Sequence, residues 1–147
     1  MLTRKVKTLG ILMHDVAHLL RTRIDRRVEP YNLTRVKWLA LGALSRQNGM
    51  TQTELATYLE LDKSTVGRLI DRLEERGFVR REKDPKDRRI FRIFIAETAF
   101  PVLRELEEVA EDVRAQALSG ISKEDRQKLY TLLEQIKMNL VSARNDS

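Results

Sequence analysis

Six consecutive residues, 84–89 (DPKDRR), include five charged side chains and no apolar one. The β-prone segments on either side, 78–82 and 90–95, predict that these residues form the tip of a β-hairpin. Two adjacent arginines in this tip, Arg88 and Arg89, are suited to an anionic partner. The narrow minor groove of DNA concentrates negative potential and attracts an inserted arginine. The tip therefore predicts a contact with DNA.

Asp87 directly precedes the two arginines of the tip. An arginine on a flexible tip loses rotamer entropy on insertion, so a carboxylate that holds the guanidinium beforehand favours binding. We expect Asp87 to hold Arg89, with Asp84 as the alternative partner. Phosphate contacts are expected from the other basic side chains of the hairpin, Arg80, Arg81, Lys83 and Lys86. The alternative interpretation is a solubilising loop that deters edge pairing of the sheet.

A helix predicted over 63–76 precedes the hairpin and has one apolar face. That face contains Val66, Leu69, Ile70 and Leu73. Because the N-terminal turns of a recognition helix reach base edges, we expect base contacts at this end. The candidates there are Ser64, Thr65 and Arg68, of which Ser64 and Thr65 suit either a base edge or a phosphate. Lys63, at the same end of the helix, is also expected to contact DNA. Arg68 can bond to guanine O6 and N7.

The later part of the same helix carries Arg72, which we expect at the DNA backbone. Asp71 and Glu75 are expected to orient the arginines of the helix. The alternative is a polar solvent face, stabilised by pairs three residues apart such as Arg68–Asp71.

The preceding segment completes a helix-turn-helix. Thr51 and Glu54 have the spacing of a capping box, which starts a short helix over 52–59. Gly77 is suited to end the helix over 63–76. A helix-turn-helix followed directly by a hairpin is a winged helix.

Amphipathic helices flank this winged helix on both sides. The apolar spacing predicts a helix over 6–28, a second over 34–46 capped by Thr34, and two more after the hairpin. Thr98 and Ser122 are the expected caps of those last two helices. The predicted fold class is mainly α with a small β-hairpin wing: a winged helix-turn-helix with long N- and C-terminal dimerisation helices.

The apolar faces of the flanking helices need partners. A basic DNA-binding protein commonly uses such helices to dimerise, because two-fold symmetry matches two DNA half-sites about 34 Å apart. We therefore expect residues 1–30 and 99–147 to form a helical dimerisation region. Residues 34–97 are expected to form the DNA-binding lobe, within a single intertwined domain.

Charge and composition agree with an anionic partner. The net charge is +6. Residues 1–47 hold 10 Lys or Arg and 3 Asp or Glu (+7), and residues 62–92 hold 11 and 7 (+4). The absence of cysteine excludes disulfides and thiolate metal sites. No apolar run is long enough for a membrane span, so a cytoplasmic protein without membrane contact is expected.

The stretch LDKSTVGRLIDRLEERGFVRREKDPKDRR (61–89) resembles the signature of the MarR family of bacterial transcriptional regulators, and specifically its SlyA-like branch. The stretch RIDRRVEPYNLTRVKWLAL (23–41) resembles the first two helices of that branch. The resemblance implies a homodimeric winged helix whose fourth helix enters the major groove. It also implies that Arg89, held by Asp87, enters the minor groove. Arg68 and Arg88 match arginines of the branch, whereas Ile95–Ala99 departs from the family pattern after the wing.

The resemblance further implies an effector, because many family members are released from DNA by small aromatic acids. Trp38 would then form a stacking wall, and His18 or Arg21 would bind the carboxylate of an aromatic acid or a related thioester. The alternative is that Trp38 belongs to the core. His14 and His18 have the spacing of two metal ligands but no third ligand is evident, so no metal site and no cofactor are expected.

The expected function is a DNA-binding transcriptional regulator that acts as a homodimer on double-stranded DNA. The alternative is a winged helix that binds protein and has lost its contact with DNA. The sequence contains no nucleophile–base constellation and no glycine-rich phosphate loop, so we do not expect an enzyme.

Overall fold

The computed structural model describes residues 8–144, which form helices and one small antiparallel sheet. The helices are α1 (Leu9–Val28), α2 (Arg35–Arg46), α3 (Gln52–Leu59), α4 (Lys63–Glu75), α5 (Phe100–Ala117) and α6 (Lys123–Arg144). The strands are β1 (Met50–Thr51), β2 (Val79–Lys83) and β3 (Phe91–Ile95). Single 3₁₀ turns span Glu29–Tyr31 and Glu97–Ala99. The predicted mainly α class with a winged helix-turn-helix is confirmed.

The helix-turn-helix consists of α3 and α4, and its local signals are as predicted. The Glu54 N–H donates to the Thr51 hydroxyl across 3.1 Å, and the Thr51 N–H donates to the Glu54 carboxylate across 3.4 Å. This capping box satisfies donors at the start of α3 that would otherwise lack partners. Glu60 turns the chain toward α4 in the left-handed region, at φ 56°. Gly77 ends α4 at φ 75°, which glycine adopts without steric cost.

The hydrophobic core lies beneath α2, α3, α4 and the sheet. The largest fully buried side chains are Leu41, Leu44, Leu55, Ile70, Leu73, Ile93, Val28 and Val66. All four apolar residues predicted for the inner face of α4 are buried. This packing fixes the rotation of α4 about its axis, so the polar side of the helix faces outward.

The sheet has the order β1-β3-β2, with both pairs antiparallel. Val79 lies opposite Ile95 and Lys83 lies opposite Phe91, which confirms the predicted hairpin. β2 is shifted by one residue from its predicted position, and β3 begins one residue later than predicted. The short strand β1 was not predicted, because two residues carry no alternating pattern. At Gly49, just before β1, a Cβ atom would lie 2.9 Å from the Phe94 ring, and φ is 83°. Only glycine fits this close approach to β3 without a shift of the ring.

The helix starts differ in detail from those predicted. Thr34 is the N-cap residue of α2, but its side chain makes no capping bond. Ser122 accepts a bond from the Asp125 N–H at 3.1 Å, as expected. The prediction that Thr98 caps the helix after the wing is wrong. Thr98 lies in a 3₁₀ turn and its hydroxyl donates to the Gly77 carbonyl, so it links this turn to the end of α4.

One compact unit of the chain ends at Val113, and a second begins at Arg114. Within the first unit, Arg27 pairs with Asp112 at 2.9 Å and the Tyr31 hydroxyl donates to Glu105 at 2.9 Å. These contacts join the end of α1 to α5. No helix within 8–144 is both long enough and apolar enough to cross a bilayer.

Candidate nucleic-acid interface

The first turns of α4 carry the side chains predicted to contact bases. Lys63, Ser64 and Arg68 are exposed, and Thr65 is half-buried. The Arg68 guanidinium donates to the Thr65 hydroxyl across 3.3 Å, so these two side chains lie together. Because the apolar face of α4 is buried, this N-terminal end presents polar groups to solvent. Arg72, one turn later, is also exposed.

Asp62, the N-cap residue of α4, organises two of these side chains. One carboxylate oxygen accepts a bond from Ser64 Oγ at 2.5 Å, and the other accepts a bond from Thr65 Oγ1. These hydroxyl bonds lower the pKa of Asp62 below its ordinary value, because they stabilise the ionised form. The Asp62 side chain makes no capping bond to the backbone of α4.

Arg81 connects the hairpin to α4. Its guanidinium lies 2.6 Å from the Asp71 carboxylate and 3.2 Å from that of Glu74, and it donates to the Gly67 carbonyl across 2.9 Å. The Arg81 side chain is only 19% exposed. It therefore faces α4 rather than solvent, contrary to the expected phosphate contact. Asp71 binds this arginine of the hairpin instead of orienting those of α4.

Asp84 shapes the hairpin tip and is 7% exposed. Its carboxylate accepts bonds from Arg92 Nε at 2.6 Å and from the backbone N–H groups of Lys86 at 2.7 Å and Asp87 at 3.1 Å. The bond from Arg92 is the main cause that lowers the pKa of Asp84. Asp84 therefore organises the backbone of the tip, and it is not the partner of Arg89.

Arg89 projects from the tip while Asp87 holds it. Its Nε and Nη2 atoms donate to the two oxygens of Asp87 across 3.0 and 3.1 Å. The Arg89 side chain is nevertheless 90% exposed. This pairing lowers the pKa of Asp87 and raises the pKa of Arg89. The predicted pairing is confirmed, whereas the role of Arg89 toward DNA stays a prediction.

Lys86 and Arg88, the other basic residues of the tip, are exposed. The tip lies beside the starts of α3 and α4, where a groove of about 250 Å³ separates them. Lys63 and Arg89 both line this groove, together with Gln52, Thr53, Ile90 and Phe91. Folding thus brings the two predicted basic contact regions to one surface.

Trp38, predicted as a ligand-stacking wall, is half-buried and packs against the core. Its indole N–H donates to Asp25 across 2.7 Å. Arg35 donates to the same carboxylate from Nε at 2.9 Å and from Nη2 at 2.6 Å. Burial opposes ionisation of Asp25, but the bonds from Arg35 and Trp38 outweigh it and lower the pKa.

His18 and Arg21, the predicted carboxylate partners, are exposed on α1. The His14 and His18 rings lie parallel with centroids 6.3 Å apart. Within 8–144 no three His, Asp or Glu side chains form a group that could hold a metal ion. A groove of about 420 Å³ near the end of α1 includes neither residue. It is lined by Glu29, Asn32, Leu33, Thr34, Lys37 and Arg76.

The partners of three side chains that hold neighbouring groups in place were not predicted from the sequence. Asp62 and Asp25 had no predicted side-chain partner, and Arg81 was expected only as a phosphate contact. The partners of Arg81 and Asp25 are distant in sequence, so spacing could not reveal them. For Asp62, hydroxyl residues two and three positions later were a usable local signal.

Comparisons with known proteins agree with this geometry. The MarR family model matches residues 31–90 of the chain. The crystal structure of MarR has a TM-score of 0.86 and 26% identity, covering 100% of this chain and 99% of its own. The transcriptional regulator PA3341 has a TM-score of 0.81 and 32% identity, covering 92% and 99%. The S. aureus MepR–DNA complex has a TM-score of 0.73 and 21% identity, covering 92% and 99%, which shows a shared fold.

Proposed function

The chain belongs to the MarR family, and from this membership we propose that it regulates transcription by binding pseudo-palindromic promoter DNA as a homodimer. In this proposal α4 enters the major groove and Arg89 enters the adjacent minor groove. The observation that carries it is that Arg89 is 90% exposed and still held by both oxygens of Asp87. A guanidinium held outward in this way is prepared to enter a narrow, electronegative groove.

The polar side of α4 supports the major-groove part of the proposal. Side chains at the N-terminal end of the helix would contact base edges, and Arg72 would contact a phosphate. The proposed base-contact residues are Ser64, Thr65 and Arg68, and Lys63 is a further proposed contact with DNA at the same end. Lys86 and Arg88 would add phosphate contacts at the tip. MepR, which shares the fold, was solved with DNA, and this also supports a contact with DNA.

Exposed apolar side chains support the homodimer. On α1 they are Leu9, Ile11, Leu12, Met13, Val16 and Leu19, and on α6 they include Leu132, Met138, Leu140 and Val141. Apolar rows of this length favour association, because burying them removes their area from water. We propose that residues 1–30 and 99–147 form the dimer region and that 34–97 form the DNA-binding lobe.

The finer assignments follow from the residues of α4 and the tip. Arg68 and Arg88 support a place in the SlyA-like branch. A dimer bound across a promoter would block RNA polymerase, so we propose repression as the mode of regulation. The protein would act in the cytoplasm, where the promoter is.

Binding to a duplex from the protein's own promoter region is expected to weaken steeply with salt, because each neutralised phosphate releases counterions. The slope of log K against log salt should be about −0.9 per phosphate, with a loss of roughly 10³–10⁵ in affinity between 50 and 200 mM for six to ten contacts. Fluorescence anisotropy of a labelled duplex measures this, and its stoichiometric titration should give two chains per duplex. A salt-insensitive complex would instead favour a winged helix that binds protein.

We also propose that a small aromatic carboxylate, or a related thioester, releases the protein from DNA. Trp38, His18 and Arg21 would contact it, with the indole ring as the stacking surface. The Trp38 N–H already has Asp25 as its acceptor, so the ring face is the part of Trp38 that remains for a ligand.

Trp38 is the single tryptophan of the chain, so its emission reports directly on this proposal. Benzoate is expected to change the emission of Trp38 and to release DNA over the same concentration range. Benzamide, which has the same ring without the charge, should do neither, and Arg21→Ala should shift both benzoate curves to higher concentration. Release of DNA without a change in emission would place the effector elsewhere.

A further inference from the structure

We propose that Asp62 sets the base preference of α4 by fixing the direction in which the Ser64 and Thr65 hydroxyl groups donate. This inference rests on the proposed DNA-binding function and names what part of the DNA these hydroxyls recognise. Asp62 itself is a positioning residue, because it acts through its two neighbours.

Each of the two hydroxyl groups donates its hydrogen to Asp62 and can then only accept further hydrogen bonds. Ser64 Oγ lies 2.5 Å from one Asp62 oxygen, and Thr65 Oγ1 is bonded to the other. An ionised carboxylate only accepts hydrogen bonds, whereas a hydroxyl has one hydrogen to donate and two lone pairs that accept. Both hydroxyl hydrogens are therefore directed at Asp62. Thr65 uses a lone pair for Arg68, at 3.3 Å.

The Ser64 and Thr65 hydroxyl oxygens therefore offer only acceptor lone pairs to DNA. Phosphate oxygens, guanine O6 and N7, and thymine O4 are also acceptors, so the two hydroxyls cannot bond to them while Asp62 holds their hydrogens. The donors in the major groove are the amino groups of adenine N6 and cytosine N4. Ser64 and Thr65 should therefore select adenine or cytosine on the contacted strand and reject guanine and thymine there.

Arg68 complements this selection. Its guanidinium has only donors, which suit the acceptor pair of guanine. The first turns of α4 would thus present acceptors at 64 and 65 and donors at 68. The same Asp62 carboxylate would repel nearby phosphates, which lowers affinity for DNA of arbitrary sequence.

Helix capping does not account for these contacts. The Asp62 carboxylate makes no side-chain capping bond to the backbone, whereas Thr51 caps α3 through the Glu54 N–H. Serine is about as favourable as aspartate at an N-cap position. Asp62→Ser should therefore preserve the stability of α4 while it frees the two hydroxyl groups to turn.

The experiment selects bound duplexes from a random pool, using the full-length protein and four variants. Ser64→Ala and Thr65→Val identify the base positions that the two hydroxyls contact, and Asp62→Ser tests the positioning. Within residues 8–144 Glu75 forms no hydrogen bond or ion pair with Arg68 or Arg72, contrary to its expected role. Glu75→Gln therefore removes only a carboxylate from the exposed side of the same helix and controls for the change in charge. Thermal melting of each variant checks that the fold is retained.

At the positions identified by Ser64→Ala and Thr65→Val, the unsubstituted protein should prefer adenine or cytosine by about five- to tenfold, as one hydrogen bond implies. Asp62→Ser should reduce this preference to about twofold or less, because the freed hydroxyls can also donate. Its affinity for random DNA should rise. Glu75→Gln should keep the original preference.

Three results would overturn the inference: a preference for guanine or thymine at those positions, an unchanged preference in Asp62→Ser, or no position that depends on Ser64 or Thr65. A protein that enriches no sequence at all would overturn the DNA-binding function itself. The selection by the unsubstituted protein therefore distinguishes a failure of the Asp62 inference from a failure of the proposed DNA-binding function.

Discussion

Replacing Arg89 by Ala is expected to weaken binding to promoter DNA by roughly tenfold to a hundredfold, as the loss of a specific arginine contact does. The Arg89 side chain is 90% exposed and its guanidinium is held by Asp87, so the loss falls on binding rather than on folding. In a homodimer each duplex loses two such arginines. Anisotropy titration at constant salt measures the affinity.

Matched variants make this prediction specific. Arg89→Ala should leave the melting temperature unchanged, because the side chain is exposed. Arg104→Ala, which removes an exposed positive charge from α5, should change the affinity far less. Asp87→Asn should give an intermediate loss of affinity for DNA, because it keeps Arg89 but removes the charge of its partner. An Arg89→Ala variant with unchanged affinity would exclude the minor-groove contact.

The largest effect on stability is expected from Leu73→Ala. Leu73 is 0% exposed on the inner face of α4, and removing its buried methyl groups leaves a cavity. The free energy of unfolding should fall by about 2–5 kcal/mol, and the melting temperature by on the order of 10 °C. Chemical denaturation monitored by circular dichroism measures the change.

Arg72→Ala, at the residue before Leu73, is expected to have the opposite effect: it should weaken DNA binding and leave stability nearly unchanged. Arg72 is exposed, so Arg72→Ala should change the free energy of unfolding by less than about 0.5 kcal/mol. Its affinity for DNA should fall about equally for all sequences, because a phosphate contact carries no base information. Equal destabilisation of the two variants would mean that α4 does not bury the face containing Leu73.

Much of the winged helix-turn-helix could be predicted because its signals are local. The apolar spacing of α4, the Thr51–Glu54 capping box and Gly77 each concern residues within one or two helical turns of each other. The pairing of Asp87 with Arg89 is also local, and it was predicted for this reason. Interactions at short separation are determined mostly by the backbone conformation of a single segment.

The predictions that failed or were missed concern contacts between segments. Thr98 bonds to Gly77 instead of capping α5, and Arg81 turns toward Asp71 instead of solvent. β1 forms because β3 offers it a partner. None of these contacts leaves a pattern in the sequence, because each depends on which segments the core brings side by side.

The sequence by itself determined the order of the elements, the buried face of α4 and the charged tip of the hairpin. Only the tertiary structure decided that Lys63 and Arg89 line one groove, that Arg81 joins the hairpin to α4, and that Asp84 shapes the tip through Arg92. The physical reason is that apolar periodicity and capping act over a few residues. The partner of a charged side chain, in contrast, is whichever group the packed core places within hydrogen-bonding distance.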